Sequence, residues 1–520
     1  LNANRRHNPQ VGTGITTWGA SKPNSFSEAF LNAIPGGLAW LSLLLVVLLA
    51  LEAPLAMLFL ASLLSFYSAV RFFFAALAVL IGLRKIGQFE QMDWQAEYTK
   101  RKTPTSLPLE QVQHLVIIPN YREAPETMRA TLAALAVQAP AKTQVCIVLA
   151  MESGEEGAPQ KGEALRAEFE GQFAHFFVAL HPKGLHQEMQ CKSANEAWAA
   201  RWAKRRLTEE LGYDIGQIVV TTMDADTLWH PDYLQALGVL FATNDDRYQR
   251  FWQAPIRYHN NVWQINPFMR ILHGYSNCWE LAYLAAPWWP ALPMSSYSLS
   301  LKLLEMVGYW DPDVIADEWH MYIKAFFQRD GEIRLVPIFL PFGAYATGGE
   351  GLLDSFKERY EQTLRHAWGA KEIGYAIAQS QAHPQVPLME RFTLVFRVAH
   401  DNLLAGAGWI ILTLGLQLPA VFHSEEVSTW SNLPLFWALQ ACALTITLIS
   451  LLFWAIDVRT RPPRPAPMTQ AERLQSALSL PGLTLVTLFC VALPVLHSQT
   501  RLMLGMPLQF RVTRKFFVLR

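Results

Sequence analysis

The sequence predicts an α/β domain with a mostly parallel sheet, set between two groups of membrane-spanning helices. Three observations carry that expectation. Apolar residues collect near the two ends of the chain in long, almost uncharged stretches. The middle alternates short β-branched strands with segments of helical spacing. One of those strands, Val219-Val220-Thr221-Thr222, runs into Met223-Asp224-Ala225-Asp226, a pair of carboxylates one residue apart.

Of the 520 residues 51% are hydrophobic, and the mean hydropathy of +0.14 exceeds that usual for a soluble enzyme. Between residues 35 and 83 the only charged side chains are Glu52 and Arg71. That length suits two spans of about 20 residues each, placed at 37–55 and 56–83 with Pro54 close to the turn. Such a stretch is too long for the apolar core of a cleavable signal peptide. Segments 404–421 and 433–456 form a second pair, separated by the acidic His423-Ser424-Glu425-Glu426 and followed by Arg459, Arg461 and Arg464.

Basic residues flank both pairs: Arg5, Arg6, Arg84, Lys85, Lys100, Arg101 and Lys102 on one side, the arginine cluster on the other. The positive-inside rule then puts residues 1–36 and the middle portion in the cytosol of a bacterial-type inner or plasma membrane, with the acidic loop outside. Segment 480–496 is short for a span and carries Pro481 and Pro494. Crossing there would place the basic tail outside, so 458–520 is read as an interfacial or re-entrant segment with a cytosolic tail. Formal net charge is zero, which indicates no nucleic-acid partner. Five cysteines without close pairing or zinc spacing fit a reducing compartment. The sequence lacks an initiator Met, which fits an incomplete chain.

The catalytic portion is expected at 84–384. His114–Pro119, Val145–Ala150, His175–Leu180 and the strand before Asp224 read as strands; Pro125–Gln138 and Lys192–Lys204 read as helices. Strands alternating with helices imply a sheet covered on both faces. Residues 385–402, with Leu388, Phe392, Val395 and Phe396 against Glu390, Arg391 and Arg397, read as an amphipathic interface helix before the spans of 403–457. Arg71 lines a polar product path or pairs structurally with a neighbour. Trp252, Tyr258, Trp288 and Trp289 line an acceptor path or sit at the membrane interface.

Alternation along an extended strand end would point Asp224 and Asp226 to one side. With no Cys or His nearby, they suit Mg²⁺ or Mn²⁺, and such an ion would hold a diphosphate. The alternative is a solvated turn.

Further motifs follow the same order as in one known family. They are Val116-Ile117-Ile118-Pro119-Asn120-Tyr121-Arg122-Glu123, Glu152 at the end of the next strand, Lys192-Ser193-Ala194-Asn195, Asp224 with Asp226, Asp317-Glu318, Gln362-Thr363-Leu364-Arg365-His366 and Phe510-Arg511-Val512-Thr513-Arg514-Lys515. From about His114 to Lys515 the chain resembles the membrane-integrated family 2 glycosyltransferases, which include cellulose, chitin and hyaluronan synthases. The resemblance implies a GT-A-like, nucleotide-sugar-binding domain. It implies that Pro119, Tyr121 and Glu123 belong to the nucleotide loop and that Glu152 replaces the usual Asp at the base. It places Lys192 near the diphosphate and assigns the metal to Asp224 and Asp226.

The family carries Glu-Asp where this chain reads Asp317-Glu318, so Glu318 inherits the general-base position and Asp317 is the alternative. A plain helix N-terminal acid pair is the competing reading. Gln362 and Arg365 correspond to the family's QxxRW, and Arg365 would neutralise the leaving diphosphate. His366 replaces the Trp of the acceptor platform, with Trp368 two residues on, roughly 200° away around a helix. Thr513 and Lys515 match the FxVTxK gating loop over the nucleotide; a lipid-bound basic tail is the alternative.

These residues imply inverting, metal-dependent transfer from a nucleotide diphosphate sugar, a UDP-sugar in most relatives, to a glycan or lipid acceptor. Three readings are open: a polysaccharide synthase, a non-processive glycolipid synthase, and a non-catalytic membrane scaffold.

Overall fold

The computed structural model describes residues 26–185 and 188–508. Nine strands occur there: β1 Gln113–Asn120, β2 Val145–Glu152, β3 His175–His181, β4 Ile218–Thr222, β5 Arg250–Gln253, β6 Ile256–Arg257, β7 Tyr297–Ser300, β8 Arg334–Pro337 and β9 Phe342–Gly343. Seven form one sheet in the order β3-β2-β1-β4-β7-β5-β8, while β6 pairs with β9. All pairings in the large sheet are parallel except those of β7, which runs antiparallel to β4 and β5. The expected α/β architecture with a mostly parallel sheet is present.

Continuous apolar runs build the centre of this sheet because both faces are covered. Along β1, Leu115 and Ile117 face a cluster containing Ala197, Ala200 and Ala203 of the Lys192–Lys204 helix. Val116 and Ile118 point the other way, against Met128 and Leu132 of the Pro125–Ala136 helix and Leu237 and Phe241 of the Tyr233–Thr243 helix. Register pairs Ile117 with Val148 on one side and Leu115 with Val220 on the other. From β1 the chain first builds outward through β2 and β3, then returns to lay β4 on β1's other edge. The order of strands therefore reverses between β1 and β4, and ligands of open α/β sheets bind beyond the strand C-termini at such a reversal. Asp224 follows β4 there.

Five helices among the described residues are long and apolar enough to cross a membrane: Ser27–Glu52, Pro54–Glu90, Leu388–Phe422, Pro434–Thr460 and Leu483–Met503. The first two meet where the sequence placed the turn. Pro54 opens the second helix, a position where its missing N–H is harmless. The expected interface helix, Leu388–Leu403, runs without a break into the third apolar segment. The last helix has 21 residues, about 32 Å of helical rise, enough for a full crossing where the sequence suggested an interfacial or re-entrant segment. Arg71, in the second helix, lies 4.3 Å from the Trp279 ring centroid and donates to Tyr283 Oη. Both partners belong to the Pro267–Ala285 helix, which packs against helices 54–90 and 434–460 and joins the α/β domain to the long apolar helices.

Candidate active site

The C-terminal ends of β1, β2 and β4 converge with three helix ends. Lys192 opens the 192–204 helix, Asp317 and Glu318 open the Asp317–Gln328 helix, and Arg365 and His366 close the Leu352–His366 helix. Lys192 is the hub. Its Nζ stands 3.0 Å from Asp224 Oδ1, 3.6 Å from Glu196 Oε1 and 3.9 Å from Glu318 Oε1, and it donates to the Ser295 carbonyl at 3.1 Å. Burial opposes its charge, but the surrounding carboxylates outweigh burial and hold its pKa well above the ordinary lysine value.

Asp224 and Asp226 are not arranged as strand alternation predicts. β4 ends at Thr222, and both carboxylates lie in the turn that follows, where Thr227 N–H donates to Asp224 O at 3.0 Å. The aspartates therefore have different surroundings: the Asp224 side chain is 40% exposed in the cleft, whereas Asp226 is 3% exposed. Ser295 Oγ donates to Asp224 Oδ2 at 2.8 Å, and Asp224 N–H donates to Ser296 Oγ at 3.1 Å. Ser295 has a φ of 57°, a left-handed backbone that costs a non-glycine residue energy and recurs at functional sites. Neither serine was singled out from the sequence, because their link to Asp224 crosses about 70 residues.

The neighbouring acids differ just as sharply. Asp317 is buried beside Glu196, itself fully buried. Burial raises both pKa values while Lys192 pulls against it, and for Asp317 proximity to Glu196 adds to the rise. Thr222 Oγ1 donates to Glu196. Glu318 instead keeps 26% of its side chain exposed to the cleft. Burial and Asp317 push its pKa up to about 8 while Lys192 pulls against them. Beneath this pair, His320 Nδ1 lies 2.8 Å from Glu372 and its Nε2 2.9 Å from Asp311, with the ring stacked 4.0 Å from Tyr375. This buried cluster ties the helix bearing Glu318 to the Lys371–Ala382 helix.

Gln362 Oε1 accepts from Thr347 Oγ1 at 2.5 Å and from Arg359 Nη1 at 2.8 Å. Arg365 has its pKa lowered by burial and raised by the charges of Asp224 and Glu318, which places it at the same cleft. His366 closes that helix beside Arg365 at the cleft, and burial together with the Arg365 charge holds its pKa down to about 3. Trp368 does not join it. Helical rotation carries it into a core cluster with Ala370 and Leu502, where it is 5% exposed and packs rather than facing an acceptor.

At the expected nucleotide loop, Pro119 is the penultimate residue of β1 and Tyr121, partly buried, follows the strand. Arg122 has a φ of 62° and donates its N–H to Glu155 at 2.6 Å. The carbonyl of Glu123 accepts from Lys161 at 3.1 Å. Glu152 ends β2 but is engaged: His181 bridges Glu152 and Glu188, each at 2.9 Å. Burial disfavours the His181 charge, yet the two carboxylates raise its pKa above the ordinary value. Thr513 and Lys515 lie outside the described residues.

Among the described residues no group of three His, Cys, Asp or Glu side chains could hold a metal ion. The donor set is two carboxylates, which fits Mg²⁺ or Mn²⁺ completed by phosphate oxygens and water, and does not fit a metal held by protein alone.

With this geometry in view, residues 219–457 match the profile of the family described as glycosyl transferase family group 2. The match spans 239 of the 520 residues, from β4 into the last turns of the fourth apolar helix, so over that portion the chain is similar to this family. Among solved structures, a mannosyltransferase, PcManGT from Pyrobaculum calidifontis in complex with GDP-Man and Mn²⁺, is 16% identical. It covers 83% of this chain and 97% of its own, with a TM-score of 0.41. S. aureus TarS 1-349 in complex with UDP-GlcNAc is 12% identical over 72% of this chain and 90% of that one, with a TM-score of 0.31. No curated protein sequence matches.

Proposed function

We propose that this enzyme transfers a sugar with inversion from a nucleotide diphosphate sugar to a growing β-linked polysaccharide, on the cytosolic face of the membrane. One observation carries the reading: Lys192 holds Asp224 at 3.0 Å and Glu318 at 3.9 Å, bringing a diphosphate-side acid and a candidate base to one cleft. Asp224 and Asp226 would hold the cation, and a bound Mg²⁺ or Mn²⁺ would neutralise charge on the diphosphate.

This chain's own residues do the rest. Glu318, the cleft-facing acid, in its ionised form takes the proton of the acceptor hydroxyl as that oxygen bonds to the anomeric carbon; with its pKa pushed up to about 8, that form grows as pH rises toward and through 8. The bond from that carbon to the diphosphate oxygen breaks, and its electron pair leaves with the nucleotide diphosphate. Arg365 and Lys192 stabilise the negative charge that develops. Asp317, buried against Glu196, supports the helix end and does not reach the acceptor. The motif resemblance assigns Thr513 and Lys515 the role of keeping water from the nucleotide.

A second reading, transfer of one sugar to a membrane lipid, is favoured by a specific feature. An open groove of about 460 Å³ runs between helices 352–366 and 483–503, lined by Phe356, Tyr360, Leu364 and Phe489. It would accept an acyl chain beside the cleft, and His366 in place of Trp weakens the platform a polymer stacks on.

The test is Mn²⁺-dependent release of nucleotide diphosphate from a panel of nucleotide sugars by purified protein in lipid. Turnover with one donor, lost in Asp226→Asn and Glu318→Gln, supports the reading; product sizing then separates polymer from glycolipid. Protein that binds nucleotide but turns over no donor, even with added membrane lipids, overturns it in favour of a scaffold.

A further inference from the structure

The 267–285 helix is largely apolar, but His273, Asn277 and Glu280 repeat at i, i+4 and i+7 and form one polar stripe. On the 352–366 helix, Arg359, Gln362 and His366 form another, at i, i+3 and i+7. Tyr258 connects the two. Its ring centroid is 4.9 Å from that of His273, its hydroxyl donates to Glu280 Oε1 at 3.2 Å, and the Arg359 charge acts on it. Arg359 and Gln362 share their helix face with His366, at the helix end that carries Arg365, so this stripe leads away from the active-site cleft.

Three polar atoms on these residues are buried without a hydrogen-bond partner: His273 Nδ1, Glu280 Oε2 and Arg359 Nε. Each is a donor. Thr347 N–H donates to His273 Nε2 at 3.1 Å, so the neutral ring carries its proton on Nδ1. Burial keeps that ring neutral by lowering its pKa well below the usual value. Burial also pushes Glu280 up to about 8, leaving a protonated carboxyl at neutral pH. Arg359 hydrogen-bonds Gln362 and forms no ion pair among the described residues. Orphaned buried donors are costly and uncommon, and three around one tyrosine call for an occupant rich in acceptor oxygens. The uncompensated guanidinium calls for that occupant to be anionic.

We infer that the space between helices 267–285 and 352–366 is the acceptor furrow, and that Arg359, Glu280 and His273 there take an anionic group, a carboxylate or a phosphate, on the acceptor sugar. The inference rests on the glycosyl transfer proposed above. It assigns these three as positioning and specificity residues, not as groups that touch the reacting atoms.

The full chain in lipid nanodiscs, with the donor it turns over, would be offered n-octyl β-glucuronide, n-octyl β-glucoside and the glucoside 6-phosphate. The anionic glycosides are expected to be favoured at least tenfold in kcat/KM, and the better of the two identifies the group. Arg359→Gln is expected to abolish that preference through acceptor KM, with donor KM held. Arg359→Lys, which keeps the cation, is expected to recover part of it. UDP affinity of each variant reports the fold. Equal use of glucoside and glucuronide, a preference surviving in Arg359→Gln, or donor hydrolysis with none of the three accepted would overturn the inference alone. Wild-type protein that turns over no donor would overturn the proposed function and this inference with it.

Discussion

Lys192 and Asp224 form the central ion pair of the cleft, Nζ to Oδ1 at 3.0 Å, although 31 residues, including most of a helix and all of β4, lie between them. The same ammonium faces Glu196 and Glu318. Removing it leaves three clustered acids without their cation. Lys192→Met is therefore expected to lose stability, by about 3–5 kcal/mol if the acids stay ionised and less if they protonate. Thermal melting at pH 6 and 8 checks this: the variant's deficit should shrink at pH 6, where protonation relieves repulsion. Equal deficits at both values would count against the hub role.

The two acids at the start of the 317–328 helix are expected to respond differently to amide substitution. Glu318→Gln removes the cleft-facing carboxylate and should lower transfer by about 10²–10⁴-fold with donor affinity retained. Asp317→Asn keeps a polar group of the same size at a buried position beside Glu196, and should cost less than about tenfold. Single-turnover transfer measured beside equilibrium nucleotide binding separates them; the reverse ranking would move the base to Asp317.

His320 supplies a pH dependence of stability. Burial works against its charge, but Glu372 and Asp311 raise its pKa from 6.5 to about 9. A raised folded-state pKa gives stabilisation that is complete below about 6.5 and disappears as pH climbs through 9. The shift corresponds to something on the order of 3 kcal/mol. Melting temperature should fall between pH 7 and 9.5, and His320→Gln should flatten that slope while lowering the plateau. A slope unchanged in the variant would assign it to other groups.

How much of this was legible depended on range in sequence. β1 to β4 and the 192–204 helix could be read because apolar alternation and helix formers are local signals. The Asp-Ala-Asp segment was visible, but its geometry was not. Period-two logic ends with the strand at Thr222, and the following turn leaves Asp226 buried and Asp224 partly exposed. β5, β7 and β8 are four residues each and gain their identity from pairing, which no local pattern reveals. Glu196 had a local signal, at i+4 from Lys192, and so did the His273, Asn277 and Glu280 stripe. Ser295, Ser296 and His320 had none, since each acts through contacts fixed only by the fold.

Packing of the first and last membrane helices offers a matched pair of substitutions. A Cβ on Gly36 would stand 2.5 Å from the Gln499 carbonyl oxygen and 2.7 Å from Met503 Cβ. The nearest obstacle is backbone, which cannot rotate away, so the helices must separate. Gln499 is fully buried, and its Nε2 donates to the Asn402 carbonyl at 2.9 Å, so separation also strains the contact with the 388–422 helix. Gly36→Ala is expected to destabilise by about 1–3 kcal/mol, the usual range for overpacking. Gly37, one position on, has nothing within 4 Å of its Cβ position. There an alanine should be neutral or stabilising by up to about 1 kcal/mol, through reduced chain entropy. Denaturant titration in a mild detergent compares the two directly. Close apposition of these helices requires opposite signs, or at least a clear gap; two equally tolerated alanines would mean that helices 26–52 and 483–503 do not touch at Gly36.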